Sequence, residues 1–73
     1  MTVTVYTQPS CPACTLTKRQ LDKLGIAYAE LPIDDDVRVR AEAAGIMSAP
    51  IVEAIGHPPF GGFRPDRLNA LAG

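Results

Sequence analysis

Thr2-Val3-Thr4-Val5-Tyr6-Thr7-Gln8-Pro9-Ser10-Cys11-Pro12-Ala13-Cys14 is the stretch that decides the fold. Its first half alternates threonine and valine and reaches Tyr6, a β-branched run that predicts a strand over Thr2–Thr7. Gln8-Pro9-Ser10 breaks that strand. Two cysteines follow, with Pro12 where the first helical position would be, since its missing N–H costs nothing there. From Pro12 to Leu24 the pattern is helical. Cys14, Thr17, Leu21 and Leu24 step by three, four and three and so share one stripe. Lys18, Arg19, Asp22 and Lys23 fall mostly on the other side. Gly25 stands where a glycine would close the helix.

Outward from this unit the chain repeats the same grammar. Ile26 to Ile33 reads as a second strand, with Pro32 marking its end or an edge. Asp34-Asp35-Asp36 supplies a cap and first-turn acids for a second helix over Asp35–Ala44, which Gly45 ends. Ser48-Ala49-Pro50 leads into a third strand, Ile51–Ile55. Gly56-His57-Pro58-Pro59 reads as a turn, and Phe60 as part of a short fourth strand that two prolines confine to an edge. Gly61-Gly62 is a second turn. Arg64 to Ala72 is a last helix with Pro65 in its first turn and Leu68 and Leu71 facing inward. The order βαβαββα predicts one mixed four-stranded sheet with helices on both faces, in a single α/β domain over residues 1–73. The first two strands should run parallel, and the last two, joined by a short turn, antiparallel.

Composition narrows the function. Seventy-three residues make one small domain, which buries roughly 60% of the surface its unfolded chain exposes. Hydrophobic residues at 47% and charged residues at 21% fit a folded protein rather than a disordered one. Seven basic and eight acidic side chains leave a net charge of -1, which argues against nucleic acid or an anionic membrane as the main partner. Met1 to Tyr6 lacks the basic and long apolar regions of a signal peptide; a cytoplasmic location is expected, and separately a monomer. The only internal bridge would link Cys11 to Cys14 across four residues. The chain-entropy estimate for so short a loop is about 2 kcal/mol, a poor structural staple. The sulfurs are therefore free for chemistry.

A thiolate is the reactive form of cysteine, and the start of a helix, with its unpaired N–H groups, favours an anion. Cys11 occupies that place and reads as the attacking sulfur. Cys14 lies one turn deeper on the apolar stripe and reads as the resolving one. A structural zinc site needs four ligands, and only His57 could join the two cysteines. An inert buried pair fits badly at a strand–loop–helix junction. A CxxC beside a βαβ pattern points instead to thioredoxin-like redox chemistry.

The residues also resemble a known family. Tyr6 to Cys14 looks like the active-site stretch of glutaredoxins and related small redoxins. Ala49-Pro50 before a β-branched strand resembles their cis-proline turn. Gly62-Phe63-Arg64-Pro65-Asp66 is similar to the C-terminal S-G-F-R-P-D/E signature of the NrdH-redoxins. The resemblance runs from Thr2 to Ala72. It implies a thioredoxin-like fold of the minimal glutaredoxin type and a dithiol–disulfide electron carrier without metal or tightly bound cofactor. It also implies reduction by thioredoxin reductase, which draws on NADPH, and delivery of electrons to a class Ib ribonucleotide reductase. The alternatives it leaves are a glutathione-dependent glutaredoxin and, from another class, a module that binds metal or an iron–sulfur cluster through its CxxC.

On this resemblance, Cys11 and Cys14 are catalytic. Thr7, Gln8, Pro12, Ala13, Ala49 and Pro50 shape the site. Phe60, Gly61, Gly62, Phe63, Arg64, Pro65 and Asp66 form the region expected to meet a partner, although core packing is the default for phenylalanine. Arg64 and Asp66 read first as a helix-start network. Two departures from the family stand out. Gln8 replaces the usual lysine before the active-site proline, and Phe60-Gly61 replaces the usual Trp-Ser.

Overall fold

The sheet is built around the strand that carries Val3 and Val5, both buried. The structure, a computed structural model, describes residues 2–72; Met1, where the reading of the N-terminus begins, and Gly73 lie outside them. In chain order the elements are β1 (Val3–Thr7), α1 (Pro12–Lys23), β2 (Ala29–Pro32), α2 (Asp35–Ala43), β3 (Ile51–Ala54), β4 (His57–Gly61) and α3 (Pro65–Leu71). The strands lie in the order β2-β1-β3-β4. β1 pairs parallel with β2 and antiparallel with β3, and β3 pairs antiparallel with β4. This is the mixed four-stranded sheet that the element order predicts, in the thioredoxin-like arrangement that the resemblance implies.

Alternation along the strands sorts the core into two layers. Val3 and Val5 of β1, Val52 of β3 and Phe60 of β4 point to one face, where Leu21 of α1 and Leu68 and Leu71 of α3 meet them. Tyr6 and Ile51 point to the other face and meet Val37 and Ala41 of α2. The first cluster holds the larger side chains, each stabilising the fold by about 1.5–3 kcal/mol when fully buried. The α1–α3 layer therefore carries most of the stability. On the opposite face, Arg40 ties α2 to the sheet, its guanidinium 3.3 Å from the Tyr6 hydroxyl and 3.5 Å from a Glu53 carboxylate oxygen.

Both α1 and α2 end in the same closure. After α1, Gly25 at φ +71° lets its own N–H reach the Asp22 carbonyl, and Ile26 N–H reaches the Leu21 carbonyl at 3.0 Å. After α2, Gly45 at φ +76° repeats this with Glu42, and Ile46 N–H reaches the Ala41 carbonyl at 2.8 Å.

The strand boundaries differ from the sequence reading most at β2 and β4. β2 begins at Ala29, not Ile26, because Ile26 is engaged in closing α1, and it and Tyr28 pack onto the core from outside the ladder. The turn is Ile55-Gly56 rather than Gly56-His57-Pro58-Pro59, and Gly61, read as a second turn with Gly62, ends β4. His57 starts β4, and both prolines lie inside that strand. β4 is the outer strand, so an N–H missing from its free side is no loss. A register shift between Val52 and Ala54 accommodates the tight connection.

Asp34 caps α2, its carboxylate oxygen accepting the Val37 N–H at 2.9 Å. Asp34→Ala should lower the unfolding free energy by about 1 kcal/mol. Urea denaturation should show a lower midpoint with an unchanged slope; an unchanged midpoint would show that the cap is idle.

Candidate active site

The strand β1 ends at Thr7, and four residues later α1 begins with its cap, Cys11. Between them Ser10 takes a left-handed conformation at φ 56°, which swings the chain from the sheet edge onto the helix axis. Pro12 then occupies the first helical position. The Cys11 sulfur accepts the Cys14 backbone N–H at 3.1 Å, so the sulfur itself is the side-chain cap of α1. Negative charge on that sulfur would meet the same N–H and the positive end of the helix.

Cys11 and Cys14 are joined as a disulfide, with Cα atoms 5.2 Å apart. The two differ in burial. Cys14 is 3% exposed, on the inner stripe of α1, whereas Cys11 is half-buried and opens onto a cleft of about 420 Å³. Both cysteines border that cleft, and Cys11 is the more exposed of the two.

Thr7, Gln8 and Pro12 line the cleft with the two cysteines, and so do Lys18 and Glu30, which the sequence reading did not place there. Thr7 Oγ1 donates to Glu30 Oε2 at 3.0 Å, and Lys18 Nζ donates to the same oxygen at 3.1 Å. These bonds, Lys18's first, hold the Glu30 carboxyl below its ordinary range. The helical spacing from Cys11 through Cys14 to Lys18, three and then four residues, was the available signal for Lys18. Glu30 had none, because parallel pairing of β1 with β2 brings it in from a distant part of the chain.

Gln8 also lines a second groove on the far side, which includes Ala49, Ser48 and Met47. The Ala49–Pro50 bond is cis. Pro50 is fully buried, and its carbonyl accepts the Gly62 N–H at 3.0 Å. Ala13, between the two cysteines in the chain, is half-buried.

The segment from Phe60 to Asp66 does not line the cysteine cleft. Phe60 is 5% exposed and belongs to the core, with the Arg67 guanidinium 5.2 Å from its ring centre. Phe63 is half-buried against the same core. Gly61 and Arg64 border a separate cleft with Met47 and Ser48. Exposed Pro65 begins α3. Arg64 Nε and a terminal nitrogen bind the two Asp66 carboxylate oxygens at 3.3 and 3.1 Å, which keeps the Asp66 carboxyl below its usual range. Among the described residues no three His, Cys, Asp or Glu side chains gather as metal ligands would, and no helix is long and apolar enough to cross a membrane.

The glutaredoxin family model matches residues 3–56, from β1 through the turn after β3. The glutaredoxin-like protein NrdH of Salmonella typhimurium is 34% identical, over 97% of this chain and 89% of its own. The chain belongs to the NrdH-type glutaredoxin-like redoxins. NrdH of Lactococcus lactis is 33% identical to the redoxin, over 96% of this chain and 99% of its own. The solved structure of NrdH-redoxin from Escherichia coli superposes with a TM-score of 0.80 at 35% identity, covering 97% of this chain and 95% of that one. A thiol–disulfide redox protein is what this kinship and the Cys11–Cys14 pair describe.

The geometry explains one departure of the redoxin from its family's signature. A Cβ on Gly61 would collide with Ile46 Cγ2 and the Ser48 carbonyl oxygen. The loop after α2 lies directly on β4, and glycine is what lets it. Gly61→Ser, which installs the family's usual residue, should cost about 1–3 kcal/mol by overpacking. Urea unfolding would measure this; an equally stable variant would mean that the loop yields freely.

Glu30 also yields a pH prediction for the redoxin. Its carboxyl is lowered in the folded state, so its contribution is present above the ordinary carboxylate range and is lost as pH falls through the lower folded value. Glu30→Gln should therefore flatten the acid limb of the stability–pH curve. An acid limb identical to the parent's would show that the Lys18 and Thr7 bonds do not persist in solution.

Proposed function

We propose that this redoxin carries electrons from thioredoxin reductase, which takes them from NADPH, to a class Ib ribonucleotide reductase in the cytoplasm. In the delivery step the Cys11 thiolate attacks a partner disulfide. A mixed disulfide forms and one partner sulfur leaves as a thiolate. The Cys14 thiolate then attacks the Cys11 sulfur, the mixed disulfide breaks, and the partner departs with two electrons and both its sulfurs reduced. The Cys11–Cys14 disulfide remains, ready for the reductase. A reducing compartment is where such a pair can cycle.

The choice of donor turns on the groups that would have to hold glutathione, and the Gly62 N–H is the observation that carries it. Glutathione carries two carboxylates, which charge-assisted hydrogen bonds would anchor. A Gly-Gly pair could offer backbone N–H groups for one of them. Here the Gly62 N–H already meets the Pro50 carbonyl, and Gly61 is explained by the close approach of Ile46 and Ser48. Gln8 offers no charge. Nearby arginines are engaged as well: Arg38 with Asp35 at 3.3 Å, Arg40 with Tyr6 at 3.3 Å, Arg64 with Asp66 at 3.1 Å and Arg67 with the Pro58 carbonyl at 3.2 Å. Exposed ion pairs are weak individually, so the backbone bond is the firmer support. The E. coli relative's structure is described as underlying a thioredoxin-like activity profile, which supports the same reading.

A coupled NADPH assay decides between the donors. Thioredoxin reductase should reduce the protein with a Michaelis constant in the micromolar range, and millimolar glutathione with its reductase should reduce it poorly. In the same system Cys14→Ser should trap a mixed disulfide with the acceptor and Cys11→Ser should trap none. Efficient turnover with glutathione and none with thioredoxin reductase would make the protein a glutathione-dependent glutaredoxin.

A further inference from the structure

We propose that the buried hydroxyl of Thr17 is the hydrogen-bond partner of the Cys14 sulfur in the reduced protein, and so sets how readily the disulfide accepts electrons. Thr17 is 0% exposed, and among the described residues its Oγ1 is the buried side-chain polar atom without a hydrogen-bond partner. Burying a hydroxyl unpaired is costly, and most folds avoid it. Threonine in a helix commonly relieves the cost by bonding back to the carbonyl four residues earlier, here that of Ala13. That bond is absent. The hydroxyl is therefore unsatisfied in the oxidised form.

Its neighbour along the inner stripe of α1 is Cys14, three residues earlier and also buried. Side chains on a helix lean toward its N-terminus, so Thr17 lies over the turn that holds Cys14. Residues at this spacing have Cβ atoms about 5–6 Å apart, within reach for a hydroxyl and a sulfur. In the disulfide, the Cys14 sulfur is bonded to Cys11, carries no hydrogen and makes no hydrogen bond with the Thr17 hydroxyl. Reduction adds two electrons and breaks the S–S bond, and protons taken up from solvent go to the sulfurs. The Cys14 sulfur is then a thiol that donates to Thr17 Oγ1, or a thiolate that accepts from the Thr17 O–H. Both groups gain a partner only in the reduced state. That difference favours reduction and raises the reduction potential. The inference concerns the cysteine couple alone and holds whichever donor supplies the electrons.

Thr17→Val keeps the shape and removes the hydroxyl, while Thr17→Ser keeps the hydroxyl and removes a methyl group. Each protein is equilibrated with mixtures of reduced and oxidised dithiothreitol, and the reduced fraction is read by thiol alkylation and mass. Thr17→Val should be about tenfold harder to reduce than the parent, which is ~30 mV for a two-electron couple. Thr17→Ser should stay within about twofold of the parent. In urea, Thr17→Val should stabilise the oxidised form and not the reduced one. Equal equilibrium constants for the parent and Thr17→Val would overturn the proposal, as would equal gains in stability for both redox forms. A shift in Thr17→Ser as large as that in Thr17→Val would also overturn it, since packing alone would then be the cause.

Discussion

The position of both sulfurs depends on the burial of one helical stripe. Leu21 is sealed against Val3, Val5 and Val52, and Thr17 and Cys14 lie along the same line toward the helix start. With that stripe fixed, the first turn of α1 has little freedom to slide or roll. Cys11, as the cap, then projects past the end of β1 into the cleft. The chemistry is mounted on a helix anchored in the core, as a site requiring close sulfur–sulfur approach needs. Loss of packing beneath Leu21 would be felt at the helix start before any active-site residue changed.

Much of this was legible in local sequence. The β-branched run before Gln8, the cysteines at a helix start, and the glycines after each of the first two helices act over a few residues, and single-chain patterns report such forces. The limits appear where distant segments meet. Ile26 and Tyr28 look like strand residues, but the closure of α1 draws Ile26 out of the ladder. Pro58 and Pro59 look like a turn, yet their place at a sheet edge makes them tolerable in a strand. Glu30 entered the cleft only through pairing of β2 with β1. Lys18 is marked by helical spacing from Cys11 and Cys14, yet its charge reads first as a solvent-side residue.

Phe60-Gly61 shows how a departure from a family pattern can carry two meanings in sequence and one in structure. In sequence the glycine pair resembles a cradle for a small anionic thiol. In the fold, Gly61 is small because Ile46 and Ser48 press on it, and the Gly62 N–H closes onto Pro50. The segment therefore reads as a joint between the loop after α2, the outer strand and α3, with Phe60 and Arg67 packed together at its base.

The two edges of the sheet are guarded by different means. On one side β4 carries Pro58 and Pro59, which cannot donate to a further strand. On the other, β2 is only four residues long, all exposed, and bears Glu30 and Pro32. Neither border invites a neighbour to extend the sheet. An electron carrier must let go of each protein it meets as readily as it engages it. On the proposed function, blunted edges leave the cleft at Cys11 as the place where contact is rewarded, and let every encounter end once the sulfurs have exchanged.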